Sequence, residues 1–229
     1  MLSATMTDVN RTRIKFCGIT CVPDALLAAD CGADAVGMVL HPPARRNVSV
    51  DTAIEIASSL PPFVTPVGLF VDQSADHMMR IADRIGLYTI QLHGHESAET
   101  VRALAPRRVV KAVRVDDQIE STLSIWRRER PDNLCAILLE SPGSTGGTGI
   151  VNDWARVVAF QQAGVFAGLP RVIAAGGLRP GNVAAVVRAI RPWAVDVSSG
   201  IEETPGRKSL SLMLQFADQI RAATEGKSV

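Results

Sequence analysis

The chain is 229 residues long, and 47% of its residues are hydrophobic, which is enough apolar material for a large core. Lys and Arg number 24 against 23 for Asp and Glu, so the chain lacks the basic excess that is typical of nucleic-acid-binding proteins, and no nucleic-acid partner is expected. No apolar run reaches the roughly 18 residues that a membrane-spanning helix needs, so no membrane partner is expected either.

The first residues and the cysteines indicate where the protein works. Residues 1–13 lack the apolar segment of a secretory signal, and we expect them to be a flexible leader to a single domain over residues 14–225. The four cysteines form no C-x-x-C pair. A chain of this kind is expected to be cytoplasmic and to keep its thiols reduced.

Short strand-like runs alternate along the chain with stretches of helical periodicity. The strand-like runs are 14–19, 35–40, 65–71, 88–93, 109–115, 135–140, 171–177 and 194–200. The helix-patterned stretches are 23–30, 50–60, 75–85, 98–105, 118–130, 153–162, 182–190 and 210–223. Several of these stretches begin with Asp, Ser or Pro, as helices commonly do.

The strand pattern predicts an α/β fold with a closed barrel. Several strand-like runs are almost continuously apolar, as strands buried on both faces are. Eight such strands, each followed by a helix, favour a parallel (βα)8 barrel, also called a TIM barrel. An open doubly wound sheet alternates in the same way and is the rival architecture. In the barrel, chemistry takes place at the carboxyl ends of the strands, and candidate residues are sought there.

Two titratable residues end strands on different sides of the expected barrel. Cys17 ends the first strand and Glu140 the sixth, so they would face one another across the barrel mouth. A thiol and a carboxyl group placed in this way can act as base and acid. A free cysteine is also commonly a small buried apolar residue, and position alone leaves both readings of Cys17 open. Glu140 ends an apolar strand, where a carboxylate is either paired or exposed to a cavity.

Three glycine-rich loops follow the last three strands. They read GSTGGTG at 143–149, AAGGL at 174–178 and SSG at 198–200. Glycines beside small hydroxyl residues let backbone N–H groups approach an anion closely. A phosphate site after the seventh and eighth strands is common in this barrel. Each loop alone could be a tight turn, but the three together predict a phosphorylated substrate.

Other polar residues near the strand ends allow more than one interpretation. Asp196 interrupts the eighth strand and could bind substrate or accept hydrogen bonds from loop amides. Arg46 could grip a substrate carboxylate with its planar fork, although adjacent arginines are usually solvated. His93 and His95 lack a third ligand at a convincing spacing, so no metal is expected. Asp72 is expected to cap the helix that follows the third strand.

Seven segments together resemble the phosphoribosylanthranilate isomerase family of the tryptophan pathway. In chain order they are KFCGIT, VGMVLHPPARRNVS, VGLFVDQ, IQLHGHE, LLES with GGTG, AAGGLRPGNV and DVSSGIEETPGRK. The resemblance implies a (βα)8 barrel without a cofactor. It also implies an Amadori rearrangement, in which N-(5'-phosphoribosyl)anthranilate becomes 1-(2-carboxyphenylamino)-1-deoxyribulose 5-phosphate.

The resemblance implies a role for each matching residue of this chain. Cys17, in the K-x-C-G motif, matches the family's general base, and Glu140 matches its general acid. Arg46 matches the arginine that contacts the anthranilate carboxylate, and Asp196 matches the aspartate close to the substrate amine and ring. The other expected substrate-binding residues are His93, in the IQLHGHE segment, and four that would help hold the phosphate: Gly147, Gly177, Ser199 and Gly200.

Two residues depart from the family pattern. The family's acid is an aspartate in an L-L-D-S pattern, whereas Glu140 carries its carboxyl group one methylene further out. Ala44 replaces the serine of the family's S-x-R-x-V loop. Moving a catalytic group by about 1 Å can cost on the order of a hundredfold in rate.

Two alternatives therefore stay open beside the isomerase. One is a related phosphoribosyl-amine isomerase of altered specificity, such as that of the histidine pathway, which resembles this chain but uses carboxylates for both roles. Cys17 argues against that reading. The other is a barrel that binds sugar phosphates without catalysis. The sequence also leaves open whether the chain is a monomer or a homodimer.

Overall fold

Strands and helices alternate throughout the computed structural model, which describes residues 11–142 and 151–225. The barrel strands are β1 (Arg13–Cys17), β2 (Ala35–Val39), β3 (Thr65–Phe70), β4 (Thr89–Leu92), β5 (Arg108–Arg114), β6 (Leu134–Glu140), β7 (Arg171–Ala174) and β8 (Ala194–Val197). The helices are α1 (Val22–Asp30), α2 (Val50–Ser59), α3 (Ala75–Ile85), α4 (Ala98–Ala103), α5 (Ile119–Glu129), α6 (Trp154–Gln162), α7 (Pro180–Ile190) and α8 (Leu210–Glu225).

The eight strands form one closed parallel barrel. Each strand pairs with the next along the chain, and β8 pairs with β1 to complete the ring. The predicted (βα)8 barrel is thus confirmed, and the open doubly wound sheet is wrong. The seventh and eighth strands end at Ala174 and Val197, three residues earlier than the sequence pattern predicts, because the glycine-rich segments after them leave the sheet.

Side chains of the strands alternate between two apolar regions. Those that face outward pack with the helices into the larger core, to which Phe16, Phe70 and Phe216 contribute. A smaller cluster contains only residues in or next to strands β5 to β8, and we place it inside the barrel. Its members are Val110, Ala112, Ala136, Leu138, Ile173, Ala175 and Ala194. The same alternation along β6 turns Glu140, two residues after Leu138, to the interior face.

Serine residues begin three of the helices. The hydroxyl groups of Ser49, Ser74 and Ser97 accept hydrogen bonds from backbone N–H groups three residues further on, at the starts of α2, α3 and α4. The prediction that Asp72 caps α3 is therefore wrong. The carboxylate of Asp72 instead accepts the backbone N–H of His95, and this bond joins the loops that follow β3 and β4.

A short hairpin that the sequence pattern does not predict follows β8. A 3-10 turn (Ser199–Ile201) leads into β9 (Glu202–Thr204), which pairs antiparallel with β10 (Arg207–Lys208). The Asp24 carboxylate accepts the backbone N–H of Lys208 at 2.9 Å, and the Thr20 hydroxyl donates to the Gly206 carbonyl at 2.7 Å. The hairpin is thereby fixed against the start of α1, beside the carboxyl end of β1.

Candidate active site

A cavity of about 720 Å³ opens at the carboxyl ends of the barrel strands. Five of the expected catalytic and substrate-binding residues line this cavity: Cys17, Arg46, His93, Glu140 and Asp196. They come from strands or loops that are far apart in the chain, and the closed barrel brings them together. Cys17 and Glu140 lie on β1 and β6, so they approach the cavity from different sides of the ring.

Cys17 shares the interior face of β1 with Lys15, two residues earlier. Lys15 pairs in register with Asp196 of β8, and its ammonium group donates to the Asp196 carboxylate at 2.8 Å. Gly37 of β2 pairs with Cys17. A Cβ atom on Gly37 would lie 2.8 Å from the Cys17 sulfur and 2.9 Å from the Lys15 nitrogen, so the glycine leaves the space that both groups occupy.

The charges around Cys17 act on its pKa in opposite directions. Burial raises the pKa of the thiol, the Lys15 ammonium lowers it, and the Asp196 carboxylate adds to the rise; the net result is an elevated pKa. Burial also acts to lower the pKa of Lys15, but Asp196 and Cys17 outweigh it and the pKa of Lys15 is raised. Lys15 therefore stays protonated and supplies the positive neighbour that a thiolate needs.

His93 lies between Gln91 and Glu140 on the interior face. The Gln91 amide nitrogen is 3.1 Å from His93 Nδ1, and His93 Nε2 is 3.7 Å from Glu140 Oε2. With the amide as donor, Nδ1 accepts and the ring proton lies on Nε2, the nitrogen nearer the carboxylate but too far from it for a hydrogen bond. Burial lowers the pKa of His93 to about 4, so the imidazole is neutral near pH 7. The backbone N–H of Ser141 also donates to Glu140, at 3.2 Å.

Arg46 is held in a two-pronged ion pair with Glu202, the first residue of β9. Arg46 Nε donates to Glu202 Oε1 at 2.7 Å, and Nη2 donates to Oε2 at 2.6 Å. Lys208 Nζ donates to the same carboxylate at 2.7 Å. Burial acts to raise the pKa of Glu202, but the two cations outweigh it and the pKa is lowered. The guanidinium that the sequence offers to a substrate thus already has a partner within the chain.

The predicted phosphate-binding residues after β7 and β8 lie in adjacent loops. Gly177 has φ +64°, in the left-handed region that favours glycine, and its carbonyl accepts from the Asn182 amide in the first turn of α7 at 3.0 Å. A Cβ atom on Gly200 would lie 1.9 Å from the Leu178 carbonyl oxygen, so only glycine permits this approach of the two loops. Ser199 begins the 3-10 turn next to Gly200. Gly147 lies outside the described residues.

The loop that carries His93 and Gly94 rests on a buried ion pair. Lys111 of β5 donates to Glu96 at 2.9 Å and to the Gly94 carbonyl at 2.7 Å. Glu96 in turn accepts the backbone N–H groups of Gly94 and Asp72. The two charged side chains are only 4% and 2% exposed, so each charge depends on the other.

Sequence reasoning missed several charged and polar residues around Cys17, His93 and Arg46, among them Lys15, Gln91, Glu202 and Lys208. A period of two along a strand could have found two of them, because Lys15 precedes Cys17 and Gln91 precedes His93 by two residues. Glu202 and Lys208 are placed by the hairpin, and no regular pattern marks a hairpin this short.

The described part of the chain has neither a metal-binding cluster nor a membrane-spanning helix. Within residues 11–142 and 151–225, no group of three or more His, Cys, Asp or Glu side chains is arranged to hold a metal ion. Across the same residues, no helix combines the length and the apolar character that crossing a membrane requires.

The fold and the cavity define a (βα)8 barrel enzyme with titratable side chains at the carboxyl ends of its strands. Comparison with known families identifies it more closely. The family model described as "N-(5'phosphoribosyl)anthranilate (PRA) isomerase" matches residues 14–219, and the chain belongs to this family.

Individual relatives agree with the family match. The chain is 44% identical to the N-(5'-phosphoribosyl)anthranilate isomerase of Geobacter sp. (strain M21) over 213 residues, which cover 92% of this chain and 98% of the relative. It is similar to the crystal structure of the phosphoribosyl anthranilate isomerase from Thermotoga maritima, with a TM-score of 0.81 and 35% identity, over 92% of this chain and 99% of that one.

A third comparison concerns a structure that holds a ligand. A phosphoribosyl anthranilate isomerase in complex with reduced 1-(o-carboxyphenylamino)-1-deoxyribulose 5-phosphate matches with a TM-score of 0.79 and 34% identity, over 92% of this chain and 99% of that one. These comparisons support the predicted isomerase of tryptophan biosynthesis. They favour neither the isomerase of altered specificity nor the barrel without catalysis.

Proposed function

We propose that this chain converts N-(5'-phosphoribosyl)anthranilate into 1-(2-carboxyphenylamino)-1-deoxyribulose 5-phosphate by acid–base catalysis, with Glu140 as the acid and Cys17 as the base. The observation that carries the proposal is that these two residues enter one cavity from different strands, beside Arg46, Asp196 and Ser198 of the loop after β8. The family match supports the same reaction.

Glu140 acts in the first step. In its protonated form it donates a proton to the ring oxygen of the ribose, and the bond between this oxygen and the first ribose carbon breaks. The nitrogen lone pair forms a double bond to that carbon and gives a protonated imine. His93, whose pKa of about 4 keeps it neutral, adds no positive charge to this part of the cavity.

Cys17 acts in the second step. Its thiolate removes a proton from the ribose carbon next to the imine, and the electron pair of that bond moves towards the nitrogen to give an enolamine. The enol hydroxyl then loses its proton while the first carbon gains one, which leaves the ketone. The protonated imine is itself the electron sink, so these steps use no cofactor.

The neighbours of Cys17 support its role as base. Burial raises the pKa of the thiol, but the protonated Lys15 beside it lowers the cost of forming the thiolate. Asp196 holds Lys15 in place and would lie near the substrate amine, where a carboxylate favours the positive charge of the imine. Arg46 would bind the anthranilate carboxylate, Gly147, Gly177, Ser199 and Gly200 would hold the phosphate, and His93 would contact the substrate beside Glu140.

Location and assembly are also proposals. A base that works as a thiolate requires a reduced cysteine, and the cytoplasm keeps thiols reduced. We therefore propose a cytoplasmic enzyme, active as a monomer or a homodimer. One solved structure shows monomers that were generated from the dimeric phosphoribosylanthranilate isomerase of Thermotoga maritima. Sedimentation equilibrium over a range of protein concentrations would decide between the two states.

The test is a fluorescence assay of the reaction itself. Anthranilate and phosphoribosyl pyrophosphate are joined in the cuvette by a transferase, and loss of the substrate's fluorescence is followed after this protein is added. We expect turnover by the wild-type chain, turnover by Glu140→Asp, and a loss on the order of a hundredfold or more in Glu140→Gln. Wild-type protein that binds the substrate without converting it would overturn the proposal, as would full activity of Glu140→Gln.

A further inference from the structure

We infer that Glu202 is a positioning residue, which fixes the Arg46 guanidinium so that its second edge can receive the substrate carboxylate, while Lys208 holds Glu202 and keeps the group positively charged. This inference deepens the proposed function and rests on it, because it takes Arg46 to be the carboxylate-binding residue. The side chains of Arg46, Glu202 and Lys208 together form the Arg46 clamp.

The geometry of the ion pair leaves one edge of Arg46 available. Glu202 takes one proton from Nε and one from Nη2, which together form one edge of the planar group. The second edge carries Nη1 and the other proton of Nη2, and two parallel donors of this kind match a carboxylate. Arg46 lines the cavity, and among the described residues that line it Glu202 is not included. A ligand in the cavity would therefore contact Arg46 at this second edge.

Glu202 is itself fixed from the other side. Lys208 Nζ donates to Glu202 at 2.7 Å and to the Ser198 carbonyl at 3.0 Å. The Lys208 side chain is fully buried and that of Glu202 is 4% exposed, so neither group can move into water without opening the hairpin. Asp24 holds the Lys208 backbone at 2.9 Å. The position of the Glu202 carboxylate is thus set by the hairpin rather than by Arg46.

The clamp has two cations around one carboxylate, and this arrangement sets its net charge. An isolated pair of Arg46 and Glu202 would be neutral and would attract an anion only weakly. Lys208 adds a buried positive charge, so the clamp as a whole carries one net positive charge. An incoming carboxylate would neutralise this charge next to largely buried groups, where such an interaction is stronger than in bulk water.

The test compares two ligands that differ only in the carboxylate. One is reduced 1-(o-carboxyphenylamino)-1-deoxyribulose 5-phosphate, and the other is the same compound with an unsubstituted phenyl ring. Calorimetry gives the ratio of their dissociation constants. We expect Glu202→Gln to reduce the preference for the carboxylated ligand by about tenfold, because the loss of a fixed Arg46 edge outweighs the added positive charge, and to leave the affinity for the other ligand unchanged.

Two further variants show whether Glu202 acts through Arg46. In an Arg46→Met background, adding Glu202→Gln should cause no further loss of preference. Arg46→Lys keeps the positive charge but has no second edge, so it should also lose the preference for the carboxylated ligand. This variant replaces Glu202→Gln in the comparison if Glu202→Gln folds poorly. The matched control is Glu203→Gln, since Glu203 is the exposed neighbour on the same strand, and its ratio should equal that of the wild type.

Each other outcome has a definite meaning. Equal losses for both ligands, an unchanged ratio in Glu202→Gln, or a stronger preference for the carboxylated ligand would overturn the positioning role alone. A stronger preference would mean that Glu202 competes with the ligand. Wild-type protein that binds neither ligand, or both equally, would overturn the proposed binding role of Arg46 and this inference with it.

Discussion

Gly37 and Cys17 face one another across β2 and β1, and the missing side chain of the glycine makes the space for the thiol. A Cβ atom on Gly37 would lie 2.8 Å from the Cys17 sulfur and 2.9 Å from the Lys15 nitrogen. Real Cβ atoms hardly ever come so close to another heavy atom. A single residue of β2 therefore determines whether the thiol and its positive neighbour can meet.

Gly37→Ala is expected to lower turnover by about tenfold to a hundredfold, because it displaces the Cys17 thiol and the Lys15 ammonium group by a few tenths of an ångström or more. The ends of flexible side chains can give way, so the cost in stability should stay near 1 kcal/mol. Turnover and urea unfolding measure the two effects. Gly181→Ala, which adds a methyl group where nothing lies within 4 Å, is the matched control. Unchanged turnover in Gly37→Ala would contradict this account.

Lys15→Met is expected to move the ionisation of Cys17 to higher pH, because it removes the positive charge that opposes the effect of burial. The base works as a thiolate, so activity rises with pH as the thiol ionises, and this rise should also move to higher pH. Asp196→Asn removes a negative charge and should move the ionisation in the opposite direction. The rate of Cys17 alkylation by iodoacetamide against pH, followed by peptide mass spectrometry, measures both. Shifts of the same sign in the two variants would disprove the electrostatic explanation.

The low pKa of His93 makes stability depend on pH. The pKa is about 4 in the folded chain, against 6.5 for an ordinary histidine. Between these values the unfolded chain binds a proton that the folded chain does not, so the free energy of unfolding falls as the pH drops from 6.5 to 4. The full effect is about 3 kcal/mol. The difference in stability between the wild type and His93→Gln should therefore change by about this amount over that range.

Urea unfolding at pH 7 and pH 4 provides the measurement. The control is His77→Gln, at an exposed position of α3. Its free energy of unfolding should change between the two pH values by the same amount as that of the wild type. If the free energy of unfolding changes equally between pH 7 and pH 4 in the wild type and in His93→Gln, His93 does not titrate as its burial requires.

The Lys111–Glu96 pair offers a test of the loop that carries His93. Removing one partner leaves the other charge buried and unpaired, so Lys111→Met and Glu96→Gln should each lower the free energy of unfolding by about 3 kcal/mol or more. The double variant should cost clearly less than the sum of the two single variants, because no unpaired charge remains. Additive losses in denaturant titrations would show that the two charges do not depend on each other.

The barrel and the position of the reacting residues could be predicted from local patterns. The strands are apolar runs that lie far enough apart for a helix between them, and Cys17 and Glu140 stand where two of these runs end. The cap of α3 was predicted wrongly because Asp72 and Ser74 are both good N-cap residues, and only the path of the chain decides between them.

The Arg46 clamp could not be predicted in the same way. Arg46 and Glu202 are 156 residues apart in the chain, and their contact depends on where the β9–β10 hairpin lies. That hairpin has strands of three and two residues, which are too short for a hydrophobic period, and it is held by Asp24 and Thr20 from the opposite end of the sequence. Tertiary contacts of this kind leave no local signal.

The most direct test of the account is turnover by Cys17→Ala, compared with Cys135→Ala, whose cysteine lies at the other end of the barrel, at the start of β6. We expect Cys17→Ala to keep the circular dichroism spectrum and the ligand affinity of the wild type while its turnover falls by about a thousandfold. Cys135→Ala should retain activity. Near-normal turnover by a folded Cys17→Ala variant would contradict the central claim that this thiol is the base.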